Sequence, residues 1–540
     1  MSELHWATLW EAIADEVPEA PAVVQGDVRR SWGELEDRAA RFAGLLGEAG
    51  IGPDAKVAQF LFNGPAYVET WFGTLKARGV PVNVNYRYLD EELRYLLDNA
   101  DAEALVYHSS LGDRVARVLD GLPGLKLVVE VDDGEGAGRV ASAVPYEAAL
   151  AGAVAAERIE RSPSDHVMTY TGGTTGMPKG VVGRIGGGVA GLLAAVPTLL
   201  GRAPVADVGG AVALTRTLHD DGASVVALPA CPLMHATGLV IGMQTALLFG
   251  GTVALLPSRR FDAGELWDVV ERERVSLVAV VGDPFARPML RALDEAGAGR
   301  DLDALRFISS SGAMFSTEVK EGLLRHLPGA TILDYISSTE GLMGVSISSA
   351  GKVAPTGSFH PAAGVKVLRD DGAEVTPGSG EAGIVGLANG VPDGYYKDEA
   401  KSAATFREVG GVRYSFPGDW ATVEENGSLS LLGRGSQCIN TGGEKVFPEE
   451  VEEVVKRHPA VDDCLVFGLP DERFGQRIVA LASLGEGEDI VSDDVLAVVR
   501  DTLAGYKVPR SLLVVDHVPR TASGKADYGA AREIFASAQP

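Results

Sequence analysis

The sequence predicts an α/β protein with a large N-terminal α/β body of several subdomains and a small α+β C-terminal domain. Three observations support this prediction. Helical and strand patterns alternate through the first 130 residues, which is typical of parallel sheets covered by helices. The chain has 540 residues, too many for one hydrophobic core. Its last part, of about 100 residues, forms a compact unit of the size of a small domain.

The first part of the body changes repeatedly from helical to strand periodicity. Apolar residues recur at helical spacing over 31–47, with acidic residues near the start. A short apolar strand is predicted at 56–62, a helix at 67–77 and a strand at 80–85. A further helix and strand are predicted in LRYLLDNADAEALVYHSS. Short strands separated by helices predict a parallel sheet.

Two later segments have weak periodicity. Residues 132–165 are rich in Gly, Ala and acids, and we expect a surface connection that is partly helical. Residues 183–210 are again rich in Gly and Ala, and their pattern favours neither helix nor strand.

The domain boundary is predicted at residue 435, which gives an N-terminal domain of residues 1–435 and a C-terminal domain of residues 436–540. The first helix of the smaller domain is expected to begin near Pro448, with Glu449 and Glu450 in its first turn, where acids suit the helix dipole. The other elements expected there are a strand, a helix and a strand, at 464–468, 492–503 and 511–518.

The composition argues against several classes of function. Acidic residues outnumber basic ones by 74 to 48, and the net charge of −26 would repel nucleic acid and anionic membranes. Any anionic ligand must therefore be held by a locally basic or NH-rich site. The three cysteines, Cys231, Cys438 and Cys464, form no CxxC pair, so neither a disulfide framework nor a zinc site is expected.

The hydrophobic pattern predicts a cytoplasmic protein without a membrane span. The N-terminal sequence has no basic region followed by an apolar core, so no signal peptide is expected. The most apolar stretch, residues 225–256, is interrupted by Pro229, Pro232, His235 and several glycines. A membrane helix needs about 20 consecutive apolar residues.

Residues 170–180 read YTGGTTGMPKG and predict a loop that binds phosphates. Glycines let the backbone turn tightly and bring its NH groups close to an anion. The threonines add hydroxyl donors, and Lys179 adds a mobile positive charge. The segment is not a P-loop, because Gly180 follows Lys179, and it is not a GxGxxG dinucleotide motif.

This loop resembles the phosphate-binding signature of the adenylate-forming superfamily, which includes acyl-CoA synthetases, peptide-synthetase adenylation domains and luciferases. The other motifs of the superfamily occur in the expected order over nearly the whole chain. NVNYRYLDEELRYLLDNADAEALV, GYYKDEAKSAATF and CINTGGEKVFPEEVEEVV are similar to segments of bacterial acyl-CoA ligases for fatty acids and steroid side chains. The resemblance implies a mobile C-terminal domain, ATP and Mg²⁺ in the site, and CoA as co-substrate.

The resemblance assigns the phosphate loop to the nucleotide and gives Lys179 a catalytic role. The loop residues that it assigns to nucleotide binding are Thr171, Gly172, Gly173, Thr174, Thr175 and Gly176.

The segment ISSTE resembles the motif whose Thr-Glu pair serves the α-phosphate and Mg²⁺, which implies catalytic roles for Thr339 and Glu340 and makes Glu340 the expected metal ligand. A carboxylate beside a triphosphate is repelled unless a hard cation lies between them. Ile336 and Ser337 stand where the family usually has an aromatic residue and a glycine. Ile336 is expected to cover a purine face, and Ser337 and Ser338 are expected to contribute to the nucleotide site. Ser337 would also place a hydroxyl beside the acid pocket.

Further nucleotide contacts are implied by three other motifs. SSGA resembles the segment whose backbone lies against adenine, which implies that role for Ser311, Gly312 and Ala313. Asp419 in FPGDW matches the aspartate that binds the ribose, and its two oxygens can accept from both ribose hydroxyls. Arg434 in LLGRGS matches an arginine that contacts the nucleotide.

The acid pocket is expected to be lined from two segments. His235 in CPLMHATG resembles the histidine of the segment that lines the acyl pocket, and Gly238 lies in the same segment. A histidine in an apolar run is more often packed than catalytic, so we expect His235 to line the pocket. Gly282 and Asp283 belong to a second segment expected to approach the substrate.

The C-terminal domain is expected to carry the main catalytic lysine. Lys525 in PRTASGKADY matches the lysine that bridges the substrate carboxylate and the α-phosphate, where positive charge offsets the repulsion between two anions. Ser436 stands at the family's hinge position. Gly442 and Gly443 resemble the loop that lines the thiol tunnel after the domain rotates.

The expected reaction is the AMP-forming ligation of a carboxylic acid to CoA. One alternative is an adenylating enzyme that passes an activated acid, even nitrite, to an amine without CoA, and Ser337 keeps this alternative open. A second is a ligand-binding homologue without activity, which the intact motif set disfavours. The sequence does not specify the acid, and it leaves a homodimer open.

Overall fold

The computed structural model describes residues 4–136, 140–171, 177–297, 299–437, 439–441, 444–471, 475–485, 492–503, 505–521 and 524–538. The described strands form three sheets, two in the larger N-terminal part and one in the smaller C-terminal part. Helices and strands alternate through the first part of the chain. The predicted fold class is therefore confirmed.

The strands of the described residues are, in chain order, β1 Pro21–Gln25, β2 Val28–Ser31, β3 Lys56–Phe60, β4 Val80–Asn83, β5 Ala102–His108, β6 Leu127–Val131, β7 Val144–Pro145, β8 His166–Thr171, β9 Lys179–Arg184, β10 Val226–Pro229, β11 Thr252–Leu255, β12 Leu277–Val280, β13 Phe307–Ser311, β14 Thr331–Ser338, β15 Gly341–Ser349, β16 Ser358–Pro361, β17 Val365–Leu368, β18 Gly383–Leu387, β19 Gly394–Tyr395, β20 Phe406–Val409, β21 Val412–Ser415, β22 Asp419–Val423, β23 Leu429–Arg434, β24 Ile439–Thr441, β25 Glu444–Val446, β26 Val461–Asp471, β27 Gly475–Leu484 and β28 Ser511–Val514.

The α-helices of the same residues are α1 Trp6–Glu16, α2 Trp32–Glu48, α3 Pro65–Lys76, α4 Asp90–Asn99, α5 Gly112–Leu119, α6 Tyr146–Gly152, α7 Ile185–Leu199, α8 Val208–Asp220, α9 Thr245–Leu247, α10 Ala263–Arg272, α11 Gly282–Ala296, α12 Thr317–His326, α13 Glu399–Thr405, α14 Pro448–Val455, α15 Ser492–Thr502 and α16 Tyr528–Ser537. A π-helix at Thr237–Gln244 leads into α9.

The first sheet starts as a parallel α/β sheet and continues as an antiparallel one. Its order is β2-β1-β11-β10-β12-β13-β14-β15-β16-β23-β22-β18-β21-β20, with β17 beside β18. The pairs from β1 to β14 are parallel, and the pairs from β14 onward are antiparallel. The second sheet has the order β19-β9-β8-β4-β3-β5-β6-β7, with parallel pairs from β8 to β7.

The third sheet belongs to the C-terminal part and has the order β25-β24-β27-β26, with β28 beside β27. Its helix α14 begins at Pro448 as predicted, and Glu449 and Glu450 lie in its first turn. The predicted domain boundary at residue 435 falls between β23 and β24, and it stays a prediction.

Local sequence signals explain several elements. Ser31 caps α2, because its Oγ accepts from Glu34 N at 3.2 Å while the Glu34 carboxylate accepts from Ser31 N at 2.9 Å. The helix predicted at 31–47 is thus confirmed with its start one residue later. The strands predicted at 56–62 and 80–85 are confirmed as β3 and β4, both two residues shorter.

The segment at 183–210, whose pattern favoured neither state, forms the end of β9, the helix α7 and the start of α8. Val189, Leu193 and Val196 pack α7 against the main core at helical spacing. The helical signal is weak because glycines fill much of its exposed face. Among the described residues, no helix has both the length and the apolar character needed to cross a bilayer.

Candidate active site

Several of the predicted site residues lie at the carboxyl ends of parallel strands in the first and second sheets. His235, Gly282 and Gly312 follow β10, β12 and β13, and Lys179 follows the loop after β8. In open α/β sheets, ligands bind outside the carboxyl ends of the strands. The segments are in contact, since Thr237 Oγ1 donates to Ser311 O at 3.4 Å.

Asn83, the last residue of β4, ties the phosphate strand to the segment that carries His235. Its Nδ2 donates to Tyr170 O at 2.8 Å and to Met234 O at 2.7 Å, and its Oδ1 accepts from Tyr170 N at 2.7 Å. Asn63, shortly after β3, accepts from Leu233 N at 2.7 Å. The sequence analysis missed both asparagines, although amides at the carboxyl ends of adjacent parallel strands were an available signal.

The phosphate loop is carried by a hairpin of described residues. β8 and β9 are antiparallel, and Thr171 pairs with Lys179 across the loop mouth. A Cβ on Gly180 would lie 2.9 Å from the Tyr170 ring, so glycine lets β9 pack on that ring. The predicted loop residues Gly172, Gly173, Thr174, Thr175 and Gly176 lie outside the described residues, and their contacts stay predictions.

Lys179 points from β9 toward two residues of β19 and its following turn. Its Nζ donates to Asp398 Oδ2 at 2.8 Å and lies 5.9 Å from the centroid of the Tyr395 ring. The hydrogen bond from Lys179 is the main reason that the pKa of Asp398 lies below its ordinary value. The Lys179 side chain is 35% exposed, so a ligand can reach the ammonium.

Thr339 and Glu340 form the turn between β14 and β15. Ser338 Oγ accepts from Glu340 N at 3.2 Å, and the Tyr395 hydroxyl donates to Glu340 Oε1 at 2.6 Å. Residues of the 394–398 region therefore contact both the lysine of the phosphate loop and the predicted metal ligand.

The residues around Glu340 fit a Mg²⁺ ion that arrives with a triphosphate. Among the described residues, no three or more His, Cys, Asp or Glu side chains are grouped so that they could hold a metal by themselves. Mg²⁺ is commonly held by one or two carboxylates together with phosphate oxygens and water. Glu340 supplies a hard oxygen ligand, and the Tyr395 hydroxyl contacts only one of its two oxygens.

The predicted adenine side contains a pair of serine hydroxyls. Ser311 Oγ and Ser337 Oγ are 2.6 Å apart, so one donates to the other. Gly312 and Ala313 follow β13, and Gly312 has φ of +97°, a region that glycine favours. Ile336 is 7% exposed and packs in a core cluster, and its predicted contact with the purine face stays a prediction.

Gly282 fits its position only as glycine, whereas Asp283 faces the interior. Gly282 has φ of +53°, and a Cβ there would lie 2.2 Å from Met314 O. Asp283 is 2% exposed, and its carboxylate accepts from Ser316 N at 2.9 Å and from Arg287 Nε at 3.3 Å. The expectation that Asp283 approaches the substrate is therefore corrected, because its carboxylate holds the turn after β13.

His235 is packed as a neutral imidazole. Burial, followed by the positive charge of Lys525, lowers its pKa to about 4. Its Nε2 is buried and has no hydrogen-bond partner among the described residues. Gly238, in the π-helix that follows, would place a Cβ 2.4 Å from Pro232 O, so the backbone is closely packed here. A neutral histidine suits the predicted lining of the pocket.

Asp419 and Arg434 are brought together by the ladder between β22 and β23, in which they are direct partners. Asp419 is 7% exposed and follows Gly418, whose φ of +103° favours glycine. The side chains of Arg434 and Ser436 lie outside the described part of the chain, as do residues Gly442 and Gly443. Their predicted roles stay predictions.

Lys525 reaches across from the C-terminal part into the site. A Cβ built on Gly312 would lie 3.8 Å from Lys525 Cε, and one built on Gly524 would lie 3.4 Å from Val281 Cγ1. Arg291 on α11 also forms an ion pair with Asp462 at 3.1 Å. The loop that carries Lys525 is therefore docked beside the segments after β12 and β13.

A cleft of about 790 Å³ opens next to the segment that carries His235. Phe62, Tyr86 and Phe285 supply aromatic surface. The lining also carries charges of both signs, with the arginines Arg30, Arg38, Arg87, Arg259 and Arg260 and the carboxylates of Glu69, Asp132, Asp133 and Glu147. Arg30 and Arg38 form ion pairs with Glu69, and Arg259 forms one with Asp133.

Comparison with known families gives two matches. The family described as AMP-binding enzyme matches residues 10–396, and the family described as AMP-binding enzyme C-terminal domain matches residues 450–525.

Curated relatives match over almost the whole chain. The chain is 40% identical over 550 residues to a 3-oxocholest-4-en-26-oate–CoA ligase of Rhodococcus rhodochrous, covering 98% of this chain and 96% of that protein. It is 41% identical over 540 residues to a medium/long-chain-fatty-acid–CoA/3-oxocholest-4-en-26-oate–CoA ligase of Mycobacterium tuberculosis, with the same coverage of 98% and 96%.

Solved structures share the fold at lower identity. The anthranilate CoA ligase AuaEII in complex with anthranoyl-AMP superposes with a TM-score of 0.84 at 21% identity, covering 99% of both chains. A benzoate CoA ligase from Burkholderia xenovorans LB400 gives a TM-score of 0.80 at 24% identity, covering 98% of this chain and 99% of that one.

Proposed function

Because the chain belongs to the AMP-binding enzyme family, we propose that it is an ATP-dependent, AMP-forming ligase that joins a carboxylic acid to CoA. The position of Lys525 carries the proposal. This lysine lies beside Gly312, which follows β13, and the neighbouring strand β14 leads to Glu340. A site assembled from two parts of the chain in this way suits the adenylation of an acid.

In the proposed first step, a carboxylate oxygen of the acid attacks the α-phosphorus of ATP. The new bond is C–O–P, the bond to the β-phosphate oxygen breaks, and pyrophosphate leaves. Lys525 lies between the two anions and offsets their repulsion, while Lys179 holds the terminal phosphates. Thr339 hydrogen-bonds the α-phosphate, and Glu340 would hold Mg²⁺, which when bound would supply positive charge to the phosphates.

In the proposed second step, the C-terminal domain rotates about Ser436 and removes Lys525 from the site. Gly442 and Gly443 then line the passage for the thiol of CoA. The thiol sulfur attacks the acyl carbon, the thiol proton is lost, and AMP leaves. We place the rotating unit at residues 436–540 and the fixed body at 1–435.

For the acid, we propose a fatty or steroid-like carboxylate. The support is the names of the curated relatives at about 40% identity, which are ligases of medium- and long-chain fatty acids and of 3-oxocholest-4-en-26-oate. The hydroxyl groups of Ser311 and Ser337, which are hydrogen-bonded to each other, would lie beside the polar end of the bound acid and not beside its apolar tail.

An amine acceptor is the competing proposal, and the curated relatives, which are named CoA ligases, favour CoA over it. CoA also carries phosphates, which exposed arginines can bind, whereas a neutral or cationic amine gains nothing from such arginines. Arg87 and Arg260 are both exposed at this cleft, where an anion can reach them.

The experiment that tests the proposal measures AMP release with fatty, steroid-like, aryl and inorganic acids, including nitrite. Each acid is supplied with CoA, with an amine or with neither. The proposed function predicts AMP and acyl-CoA from an apolar carboxylate only when CoA is present. AMP release that depends on an amine and not on CoA would establish the competitor, and an absence of AMP with every acid would refute an adenylating enzyme.

Lys525→Ala separates the two half-reactions. We expect adenylation to fall at least 100-fold, because a preorganised charge that contacts a transition state is typically worth about 10²–10³ in rate. Thioester formation from supplied acyl-adenylate should change little. Lys507→Ala, in the same domain and paired with Glu450, is the matched control. Equal losses in both half-reactions would remove Lys525 from its proposed role.

A further inference from the structure

Residues 393–398 form a short bridge between the phosphate hairpin and the turn that carries Glu340. The bridge is fixed along β9, because Asp393 N donates to Val182 O and Tyr396 N donates to Gly180 O, both at 2.8 Å. Its strand β19 pairs with β9 in antiparallel register. Its position therefore follows the position of the phosphate loop.

The bridge directs its side chains to two different sides. Tyr396 and Lys397 both contact Asp101, at 2.7 Å each, on the side away from the site. Lys397 has φ of +54°, unusual for a residue other than glycine, and this turn brings Asp398 back toward Lys179. The outer contacts thus anchor the bridge while Tyr395 and Asp398 face the site.

The two inward residues contact the two groups that the proposed function assigns to the triphosphate. The Tyr395 hydroxyl donates to Glu340 Oε1 at 2.6 Å, and Lys179 Nζ donates to Asp398 Oδ2 at 2.8 Å. One short segment therefore holds both the proposed metal ligand and the phosphate-loop lysine.

The two contacts differ in how they respond to a ligand. A carboxylate has about four lone-pair positions, so Glu340 can keep the Tyr395 hydroxyl and still bind a cation. Lys179 and Asp398 are 35% and 31% exposed, and an ion pair of that exposure is weak. A triphosphate carries several negative charges and can displace Asp398 from the ammonium, because lysine forms strong charge-assisted hydrogen bonds with phosphate.

We propose that Tyr395 is a positioning residue that orients Glu340 for Mg²⁺, and that Asp398 holds Lys179 in the empty site and releases it when a triphosphate binds. This inference rests on the proposed function and adds two residues to it. Neither residue needs to touch the reacting atoms.

The test is calorimetric binding of the α,β-methylene analogue of ATP, whose α–β link is not cleaved, at a series of Mg²⁺ concentrations and without acid or CoA. Tyr395→Phe should raise the Mg²⁺ concentration for half-maximal binding about tenfold, the worth of a hydrogen bond to a charged group. This substitution keeps the aromatic ring at position 395 near Lys179. Asp398→Asn should tighten binding about two- to fivefold, because the competing charge is gone.

The variants are chosen to preserve the local fold. Asp398 also caps α13, since its Oδ1 accepts from Lys401 N at 2.9 Å, and asparagine is an equally good cap. Tyr396→Phe is the matched control, because it removes a hydroxyl from the same bridge on the outer side. It should leave both the affinity and the Mg²⁺ dependence unchanged, because Lys397 still anchors the bridge to Asp101.

The outcomes separate this inference from the proposed function. Unchanged Mg²⁺ dependence in Tyr395→Phe, or unchanged or weaker analogue binding in Asp398→Asn, would overturn the inference while the wild-type protein still binds the analogue. A shift of equal size in Tyr396→Phe would also overturn it, because the effect would then be structural. A wild-type protein that binds no analogue at any Mg²⁺ concentration would refute the proposed function itself.

Discussion

The loop that carries Lys525 is held by Arg520, and opening this contact should impair one half-reaction more than the other. Arg520 donates to both carboxylate oxygens of Asp463, from Nη2 at 2.7 Å, and its Nη1 donates to Gly524 O at 3.2 Å. Lys456 Nζ contacts the same carboxylate at 3.2 Å. Because Gly524 directly precedes Lys525, the guanidinium fixes the backbone from which the lysine projects.

The perturbation is Arg520→Gln, and its expected cost is about 3 kcal/mol of unfolding free energy. Removing one partner of a buried ion pair costs about 3–5 kcal/mol. The side chains of Arg520 and Asp463 are 17% and 20% exposed, and Asp463 keeps Lys456, which places the cost at the lower end.

The matched control is Arg291→Gln, which removes an ion pair between α11 and the C-terminal part. Its side chains are 55% and 37% exposed at Arg291 and Asp462, so its loss should cost about 0.2–1 kcal/mol. Comparing the two variants separates a buried clamp on the lysine loop from an exposed contact between the same two parts of the chain.

The assay pairs urea unfolding with the two half-reactions, measured where both variants are folded. Adenylation, followed by pyrophosphate exchange, should fall at least tenfold in Arg520→Gln, because Lys525 is no longer held in place. Thioester formation from supplied acyl-adenylate should change less than twofold, because that step does not use the lysine. Equal losses in both steps, or an adenylation loss no larger than in Arg291→Gln, would refute the reasoning.

Two further predictions concern pH and backbone geometry. Burial, followed by the charge of Arg161, lowers the pKa of His5 from 6.5 to about 4. The free energy of unfolding should therefore fall as pH falls from about 6.5 toward 4, and the loss should reach about 1.4 kcal/mol at pH 5.5. When the free energy of unfolding in urea is measured as a function of pH, His5→Asn should lack this part of the pH dependence. Gly282→Ala should reduce adenylation at least tenfold in the AMP-release assay, because the new Cβ would lie 2.2 Å from Met314 O. Gly297→Ala is its control, since it has φ of +65° with nothing within 4 Å of a Cβ, and a similar loss there would contradict the steric argument.

The sequence could identify the residues whose side chains would contact the substrates directly. Lys179, Glu340 and Lys525 were predicted from motifs that resemble those of the adenylate-forming superfamily, and the structure places all three around the strand ends. Asn83 could not be identified in this way, because it acts on backbone carbonyls of two segments far away in the chain. Tyr395 lies inside a quoted motif, but its partner Glu340 becomes visible only once β19 is paired with β9.

The burial of Asp283 could not be read from its position after a strand end, where a ligand-binding aspartate is also found. Its carboxylate accepts from Ser316 N, 33 residues further along the chain, and from Arg287 on the same helix α11. The contact with Arg287 is local, whereas the contact with Ser316 depends on how α11 packs against the segment after β13. Ile336 packs in a core cluster with residues of other strands, and its contact with a purine stays a prediction.

Lys179 is paired with a carboxylate before any ligand arrives, which suits a chain as acidic as this one. With a net charge of −26, a lone ammonium in an open site attracts the nearest carboxylate, as Asp398 does for Lys179. When phosphate binds at such a site, Lys179 exchanges its carboxylate partner for phosphate. The binding free energy is therefore the difference between the free energies of the two ion pairs. An ion pair whose side chains are about one-third exposed contributes about 0–1 kcal/mol. Losing it costs little compared with the attraction between Lys179 and the several negative charges of Mg-bound triphosphate. The same acidity would repel that triphosphate from the rest of the surface, which concentrates recognition in the loop and the bridge beside it.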